Sequence, residues 1–560
     1  MTTTTSQRTS PPAATQVATT SEPISNEVTI EEKRKQNALA PILQLPSELL
    51  LCIIHQYVAI YRRRTQRQLA GKLYTWLKIT QICHHLRAVA LADPTLWTIV
   101  SPTNPDFVRE LLVRSQQTLL SYELGHVPPT EAGLISAQLM VESMDRVDSL
   151  KYLFSLSHSG KSPDLNCEAP KLRTLTIHNA EKSHPRIANL APSFFKDAEL
   201  PSLEKLDIAL LPYASVQSMF RPTLQTLSIS TCSMPGITSD LIEALRAMPL
   251  LEHLKLHQVL PETHSSVRPD MSSIPIVSLS RLRSLYVTRS SAVECADFLD
   301  RLSFPPSASL HLDLRPASPT LWCAVVIPAL SAKFKDREPI QTVCIHTPWN
   351  TDVQVAAWSR AMDMDEFESQ QTPPDLCITM YGHHSNTIEC DETLVSLTCD
   401  LPLTGVKTLF IGELNPYLKR NSSWIAMFTP MTQTEILGVL GSTVEFISSV
   451  FHRPRERKPS SSGGGQTMPN LKCLSLRKVT FKEDIDAPTI YSYDFIHNLR
   501  NCLIVRNERH KRLESLRIRL AVNFTEDDLT VLQDLTETVD WDRQVNTQAI
   551  RNQWGNDSSP

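Results

Sequence analysis

The sequence predicts an α/β protein in which a small helical unit precedes a long array of short parallel strands, each returned by a helix or a loop. Three observations carry this expectation. An apolar stripe at helical spacing opens at Leu45-Pro46, a leucine pattern recurs eight times beyond residue 170, and 560 residues are too many for one ordinary core. With 41% hydrophobic and 20% charged residues, the bulk of the chain can bury enough surface to fold. Fifty-five basic against fifty-nine acidic residues leave a formal charge of -4, which supplies no global field for nucleic acid or an acidic membrane. Only 14 glycines leave few positions for phosphate loops or strained catalytic turns, which counts against nucleotide-binding enzymes.

Residues 1–38 are expected to form a disordered tail, because Thr, Ser, Pro and Ala dominate and burial cannot repay the entropy of ordering. The opening MTTTTSQRTSPPAATQ lacks the apolar core of a signal peptide. The longest apolar run, Leu321 to Ala332, is too short for a membrane span. Twelve scattered cysteines without a paired framework read as reduced thiols, so a cytoplasmic or nuclear protein is expected.

Residues 39–100 read as the small helical unit. Pro46 pre-sets a helix start, Glu48 suits its first turn, and Leu49, Leu50, Ile53, Ile54, Tyr57 and Val58 follow as one apolar face. A basic, polar insertion is expected over 61–72, with Arg62, Arg63, Arg64 and Arg67. A second helix then places Ile79, Ile82, Cys83, Leu86, Val89 and Ala90 on one stripe, and Asp93-Pro94 ends it before Leu96 and Trp97. So small a unit has little core, and its apolar surplus implies that another chain completes part of its surface.

Residues 101–545 read as the repeat array. Leu-x-x-Leu-x-(Leu/Ile/Val), with Val allowed first, occurs at Leu172-Leu175-Ile177, Leu203-Leu206-Ile208, Leu224-Leu227-Ile229, Leu251-Leu254-Leu256 and Leu282-Leu285-Val287. It recurs at Val406-Leu409-Ile411, Leu471-Leu474-Leu476 and Leu513-Leu516-Ile518. Five of the eight carry a proline two residues ahead: Pro170, Pro201, Pro222, Pro249 and Pro469. The spacing of the first five is close to or just above the period of leucine-rich repeats, so an irregular leucine-rich-repeat solenoid is expected, one short strand per repeat with the leucines inward. Leu241, Ile242 and Leu245 in Ser239–Met248 fit a returning helix. Residues 310–400 show no clean hit, so either the repeats degenerate or an insertion interrupts them. A flexible loop is expected over 453–467 and a frayed, disordered end over 546–560.

The segment LPSELLLCII, followed after a gap by LKITQICHHLRAVALADPTLW, resembles an F-box. Leu45, Pro46, Glu48, Leu49, Leu50 and Ile53 match its opening, and Ile82, Cys83, Arg87, Pro94, Leu96 and Trp97 its closing half. With VRELLVRSQ after Trp97 and ETVDWD near the end, the chain is similar to the basidiomycete-type F-box family of fungi, which joins an F-box to leucine-rich repeats. The resemblance implies the substrate-recognition subunit of an SCF-type cullin-RING ubiquitin ligase. It would bind the SKP-type adaptor through Leu45, Pro46, Leu49, Leu50, Ile53, Ile82, Cys83, Leu86 and Trp97, and would hold a target protein on the repeats. The mechanism would be proximity, with no catalytic residues of its own.

Variable positions between the repeat leucines, such as Arg173, Lys205, His253 and Arg283, are the candidate target contacts. Cys377, His383, His384, Cys390 and Cys399 lack the close pairs of a zinc site, so no metal or other cofactor is expected. Cys83, beside His84 and His85, is the one thiol with a basic neighbourhood and reads as core packing. Arg453 to Lys458 reads as a solvated run rather than an import signal. The rival readings are a leucine-repeat scaffold capped by the N-terminal helices, and an enzyme hidden within 310–400 that no motif supports.

Overall fold

A computed structural model describes residues 29–65, 73–125, 130–154, 163–180, 194–196, 198–232, 237–260, 276–315, 322–349, 352–369, 372–381, 387–412, 421–444, 446–447, 467–482 and 495–544. The expected tail over 1–28, the insertion over 66–72, most of the 453–467 loop and the 546–560 end lie outside them. The described chain divides into two compact units, one reaching to Trp97 and including Arg114–Gln116, the other formed by Thr98–Val113 and the residues from Gln117 onward.

In the first unit, part of the expected tail is ordered. Helix α1 spans Ile30–Ala38 and starts with a capping box, in which the Thr29 hydroxyl accepts from Glu32 N–H and Thr29 N–H donates to Glu32 Oε2 at 2.8 Å. Low apolar content does not prevent a helix where the cap and straight-chain residues favour one. Helix α2, Ser47–Thr65, starts after Pro46 as expected and runs four residues past the foreseen break at Tyr61. The apolar stripe of the second segment is broken in two. A 3₁₀ turn covers Thr75–Gln81, Cys83 adopts an extended conformation, and helix α3 spans His84–Ala92 with Cys83 Sγ accepting from Leu86 N–H at 3.5 Å.

The core of this unit takes Leu50, Ile54 and Val58 from α2, Trp76 and Ile79 from the 3₁₀ turn, Leu86, Val89 and Ala90 from α3, and Leu96 and Trp97 beyond it. The Trp76 and Trp97 rings stand 5.3 Å apart, and Trp97 Nε1 donates to the Ala90 carbonyl at 3.0 Å. The Arg114 guanidinium lies over the Trp97 ring, 4.6 Å from its centre.

The second unit is mixed α/β, built on one large and mostly parallel sheet. Its strands are β1 Ile99–Val100, β2 Leu120–Leu124, β3 Val147–Phe154, β4 Thr174–Asn179, β5 Lys205–Ala209, β6 Thr226–Ser230, β7 His253–His257, β8 Val277–Ser278, β9 Ser284–Ser290, β10 Leu302–Ser303, β11 Ser309–Leu314, β12 Thr342–Trp349, β13 Asp352–Trp358, β14 Leu376–Tyr381, β15 Thr408–Ile411, β16 Ile436–Leu440, β17 Cys473–Arg477, β18 Ser515–Arg519 and β19 Thr538–Trp541. From β1 to β7, and on through β9 to β11, each strand pairs in parallel with the next. β8 and β10 pair apart from the sheet.

The unpatterned region 310–400 continues the sheet with its order inverted. β11 pairs with β14, β14 with β13 and β13 with β12, and β12 then pairs with β15, so β13 alone runs antiparallel. The parallel order resumes from β15 to β19.

Register explains the leucine pattern. Leu150, Leu175, Leu206, Leu227, Leu254, Leu285, Leu310 and Leu376 are successive partners and all are buried, forming one column of the core. The prolines occupy the second position of a β-turn ahead of each strand. The N–H groups of Leu172, Leu203, Leu224, Leu251 and Leu471 donate to the carbonyls of Ala169, Leu200, Arg221, Met248 and Met468 three residues back. Helix Ile237–Arg246 returns the chain where foreseen, with Leu241, Ile242 and Leu245 buried.

Candidate functional site

The N-terminal unit divides its apolar residues between two faces of α2. Leu50, Ile54 and Val58 repeat every fourth residue and are fully buried, which fixes the inner face. Leu49 and Ile53 form the adjacent row and stay 50% and 41% exposed, with Pro46 and Cys52 also open to solvent. Ile82, turned outward by the break at Cys83, is 67% exposed.

The nine residues named for adaptor binding therefore separate. Pro46, Leu49, Ile53 and Ile82 are exposed, and Leu45 and Cys83 are half-buried. Leu50, Leu86 and Trp97 belong to the core, since a 100° step on α2 carries Leu50 inward and Leu86 lies on the buried face of α3. They support the surface and do not form it.

The loop after α3 holds this surface in place from behind. His55 Nε2 lies 2.7 Å from Asp93 Oδ2, and Thr95 donates to Asp93 through both its N–H and its hydroxyl at 3.0 and 2.8 Å. Burial alone would raise the Asp93 carboxyl, but these donors outweigh it and hold it below the usual carboxylate range. Arg62 Nη2 donates to the Leu96 carbonyl at 3.2 Å, tying the end of α2 to the same loop.

A second surface lies on the sheet face opposite the leucine column. Across β4 to β11 it is polar. His178 Nε2 stands 3.2 Å from Asp207 Oδ2, the Lys255 ammonium lies 5.3 Å from the centre of the Tyr286 ring, and Tyr286 stacks on His311 at 5.1 Å. His253 and His257 each share a 2.8 Å hydrogen bond with the next strand, to Ser284 and Thr288. Burial lowers His257, His311 and His346 below the ordinary imidazole range. Of the four candidate target contacts, Arg173, Lys205 and Arg283 are exposed and His253 is half-buried, all at the entry to strands β4, β5, β7 and β9.

Over β12, β15 and β16 the same face is covered by the chain itself. Met364 and Phe367 of the short helix Met364–Ser369 pack on Cys344, Ala356, Trp358, Met362 and Phe410, with Phe367 stacked on Phe410 at 3.9 Å. The Thr342 hydroxyl donates to the Arg360 carbonyl at 2.8 Å, and the Thr408 hydroxyl donates to the Met362 carbonyl at 3.0 Å, so two neighbouring strands anchor this strap. The leucine pattern could not reveal it. The signal lay in Phe410 and Gly438, which occupy outward positions of β15 and β16 and leave room for Met364.

Burial pushes the thiols of Cys232 and Cys502 up to about 11, and those of Cys295, Cys344 and Cys377 to about 12, so none is a thiolate near neutrality. Among the described residues no group of three His, Cys, Asp or Glu side chains could hold a metal ion. His383, His384 and the Cys390 side chain lie outside them. No described helix is long and apolar enough to cross a membrane. No family model matches the chain, and no curated protein matches it.

Proposed function

We propose that this chain is the substrate-recognition subunit of an SCF-type cullin-RING ubiquitin ligase. Its N-terminal unit is then an F-box that docks on the SKP-type adaptor, and its parallel sheet is a leucine-rich-repeat array that holds a target protein. It contributes proximity and no chemistry, and it works in the cytoplasm or nucleus. The observation that carries this reading is the outer row of α2. Leu49 and Ile53, with Ile82, stay exposed on a unit whose core is already filled, at positions where the sequence resembles the adaptor-binding motif. Such a row suits an apolar helix-in-groove contact. The long ladder of stacked strands supports the repeat reading, since neighbouring repeats bury one continuous core.

Capture by a recombinant SKP-type adaptor tests the proposal. Wild type should be retained and the double variant Leu49→Asp, Ile53→Asp should be lost, with a circular-dichroism spectrum and α2 hydrogen exchange matching wild type to show that folding is intact. Failure of the wild type to bind refutes the docking role.

A further inference from the structure

The inverted strand order at β12 to β14 places a cavity at one edge of the sheet. Because β13 runs antiparallel, its last residues lie beside the first residues of β12 and β14, and β14 pairs onward with β11. The segment that joins helix Ile327–Phe334 to β12 supplies the facing wall, and the cavity measures about 390 Å³. That is the lower end of the ~300–1,000 Å³ range of small-molecule pockets, so it suits a small ligand. Pro306, Phe334, Ile340, Ala357 and Leu376 make its walls largely apolar.

Two opposite charges line this cavity without meeting. Arg337 stacks on Phe334, its guanidinium carbon 4.3 Å from the ring centre, with Phe304 at 6.0 Å. Its Nε and Nη2 are buried, and no described residue accepts a hydrogen bond from them. The other buried arginines are served differently: Arg301 pairs with Asp297, and Arg506 donates to the Leu471 and Lys511 carbonyls. Burial lowers the Arg337 guanidinium from its ordinary range, and the Asp375 charge acts in the opposite direction. Asp375 lines the cavity too, but its Oδ2 accepts from the Ser359 N–H and hydroxyl at 2.7 and 2.8 Å, and it forms no ion pair with Arg337.

The remaining charges of the lining narrow the ligand class. Asp336 and Glu338 are exposed on either side of Arg337 in the chain, so three carboxylates stand against one guanidinium. A simple anion is repelled by that excess. A simple cation leaves Arg337 as a buried charge without a counter-charge, which is costly. A zwitterion satisfies both, with a carboxylate on the guanidinium fork and an ammonium on the acids.

We infer that this cavity is a binding site for a small zwitterion of the α-amino-acid class with an apolar side chain, its carboxylate held by Arg337 and its ammonium by Asp375. The site lies wholly within the sheet-bearing unit and is independent of the docking reading of α2.

The test is calorimetric titration of the full-length chain with L-valine, L-leucine, L-methionine and L-phenylalanine. Two monopoles built on the leucine skeleton serve as comparisons: isoamylamine, which lacks the carboxylate, and 4-methylpentanoate, which lacks the amine. At least one amino acid should bind tenfold or more tightly than either monopole. Arg337→Gln should weaken that amino acid at least tenfold and leave isoamylamine within twofold, at unchanged circular dichroism, and Asp375→Asn should weaken it as well. The comparison of ligands uses only the wild type and stands even where a variant is unstable. If none of the four amino acids outbinds the monopoles, or if Arg337→Gln weakens the amine as much as the amino acid, the inference is overturned.

Discussion

Leu49 and Leu50 are the same residue on the same helix, one 100° step apart, so truncating each to Ala separates the supporting face of α2 from the presenting one. Leu50 is completely buried among the core residues of a small unit. Leu50→Ala removes its transfer free energy and leaves a cavity, a loss of about 2–5 kcal/mol. Leu49 keeps half its surface in water, and solvent fills whatever is removed. Its loss is at most a fraction of the ~1.5–3 kcal/mol for fully burying such a side chain, hence under ~1 kcal/mol. The readout is exchange of the α2 amides in the full-length protein, which measures opening of this unit without needing one global unfolding free energy. A difference of about 2 kcal/mol appears as a roughly thirtyfold change in the opening constant. Leu50→Ala should accelerate exchange along α2 by at least that factor, and Leu49→Ala by less than about fivefold. Equal acceleration by the two variants would refute the division of α2 into inner and outer rows, and the proposed docking surface with it.

Three further outcomes are expected. Helix Ala292–Asp300 is buried almost throughout, and within it Asp297 pairs with Arg301 at 2.9 Å with both side chains buried, so Asp297→Ala should destabilise the array by about 3–5 kcal/mol in urea unfolding, whereas replacing both by apolar residues should restore much of the loss. A Cβ at Gly438 would meet Phe410 Cδ1 at 2.6 Å and Met364 Sδ at 2.9 Å, so Gly438→Ala should loosen the strap at a cost of about 1–3 kcal/mol, visible as faster proteolysis within 359–372. Because Asp93 is held below its ordinary range, its contribution is fully present above an unfolded carboxyl pKa of about 4 and is lost as pH falls through the lower native value. Melting of the N-terminal unit should therefore drop on acidification below about pH 4, and Asp93→Asn should lower stability near neutrality and flatten that dependence.

The leucine pattern exposed the parallel ladder because position two and position three of each repeat are the inward residues of one strand, as in Leu206 and Ile208 of β5. It passed over strands whose first position is not aliphatic or whose third is aromatic. β16 opens from Thr434 before Leu437 and Val439, and β2 and β3 place Tyr122 and Tyr152 inward. Tyr122 falls in register with Leu150 and Tyr152 with Ile177, so the buried face accepts a wider alphabet than the pattern. The inversion at β12 to β14 was illegible for a different reason. Both faces of these strands are covered, on one side by the column and on the other by the strap, and the alternation that marks a half-exposed strand disappears. On α2 the sequence revealed which residues are apolar. Which of two adjacent apolar rows faces outward depended on where α3 and the Trp97 loop pack, and no local spacing encodes that.

Glycine scarcity shows how a composition argument can mislead about backbone while leaving the functional reading intact. Few glycines implied few strained turns, yet among the described residues Leu210, Thr231, Gln258, Lys478 and Leu520 adopt positive φ values of 59°, 51°, 53°, 54° and 50°. Each stands directly after a strand, β5, β6, β7, β17 and β18 in turn. The ladder itself imposes the conformation: the N–H groups of Leu210, Thr231, Gln258 and Lys478 donate to the Ser230, His257, Thr288 and Arg519 carbonyls of the neighbouring chain segments at 2.8–3.0 Å. A left-handed L-residue costs roughly 1–2 kcal/mol, and here it gains one more inter-strand bond at the same offset in successive repeats. Strain distributed this regularly is a property of the ladder and does not mark a reactive site. The case for a binding role therefore cannot rest on the absence of strained turns. It rests on the exposed Leu49 and Ile53 row of α2 and on the polar face of β4 to β11.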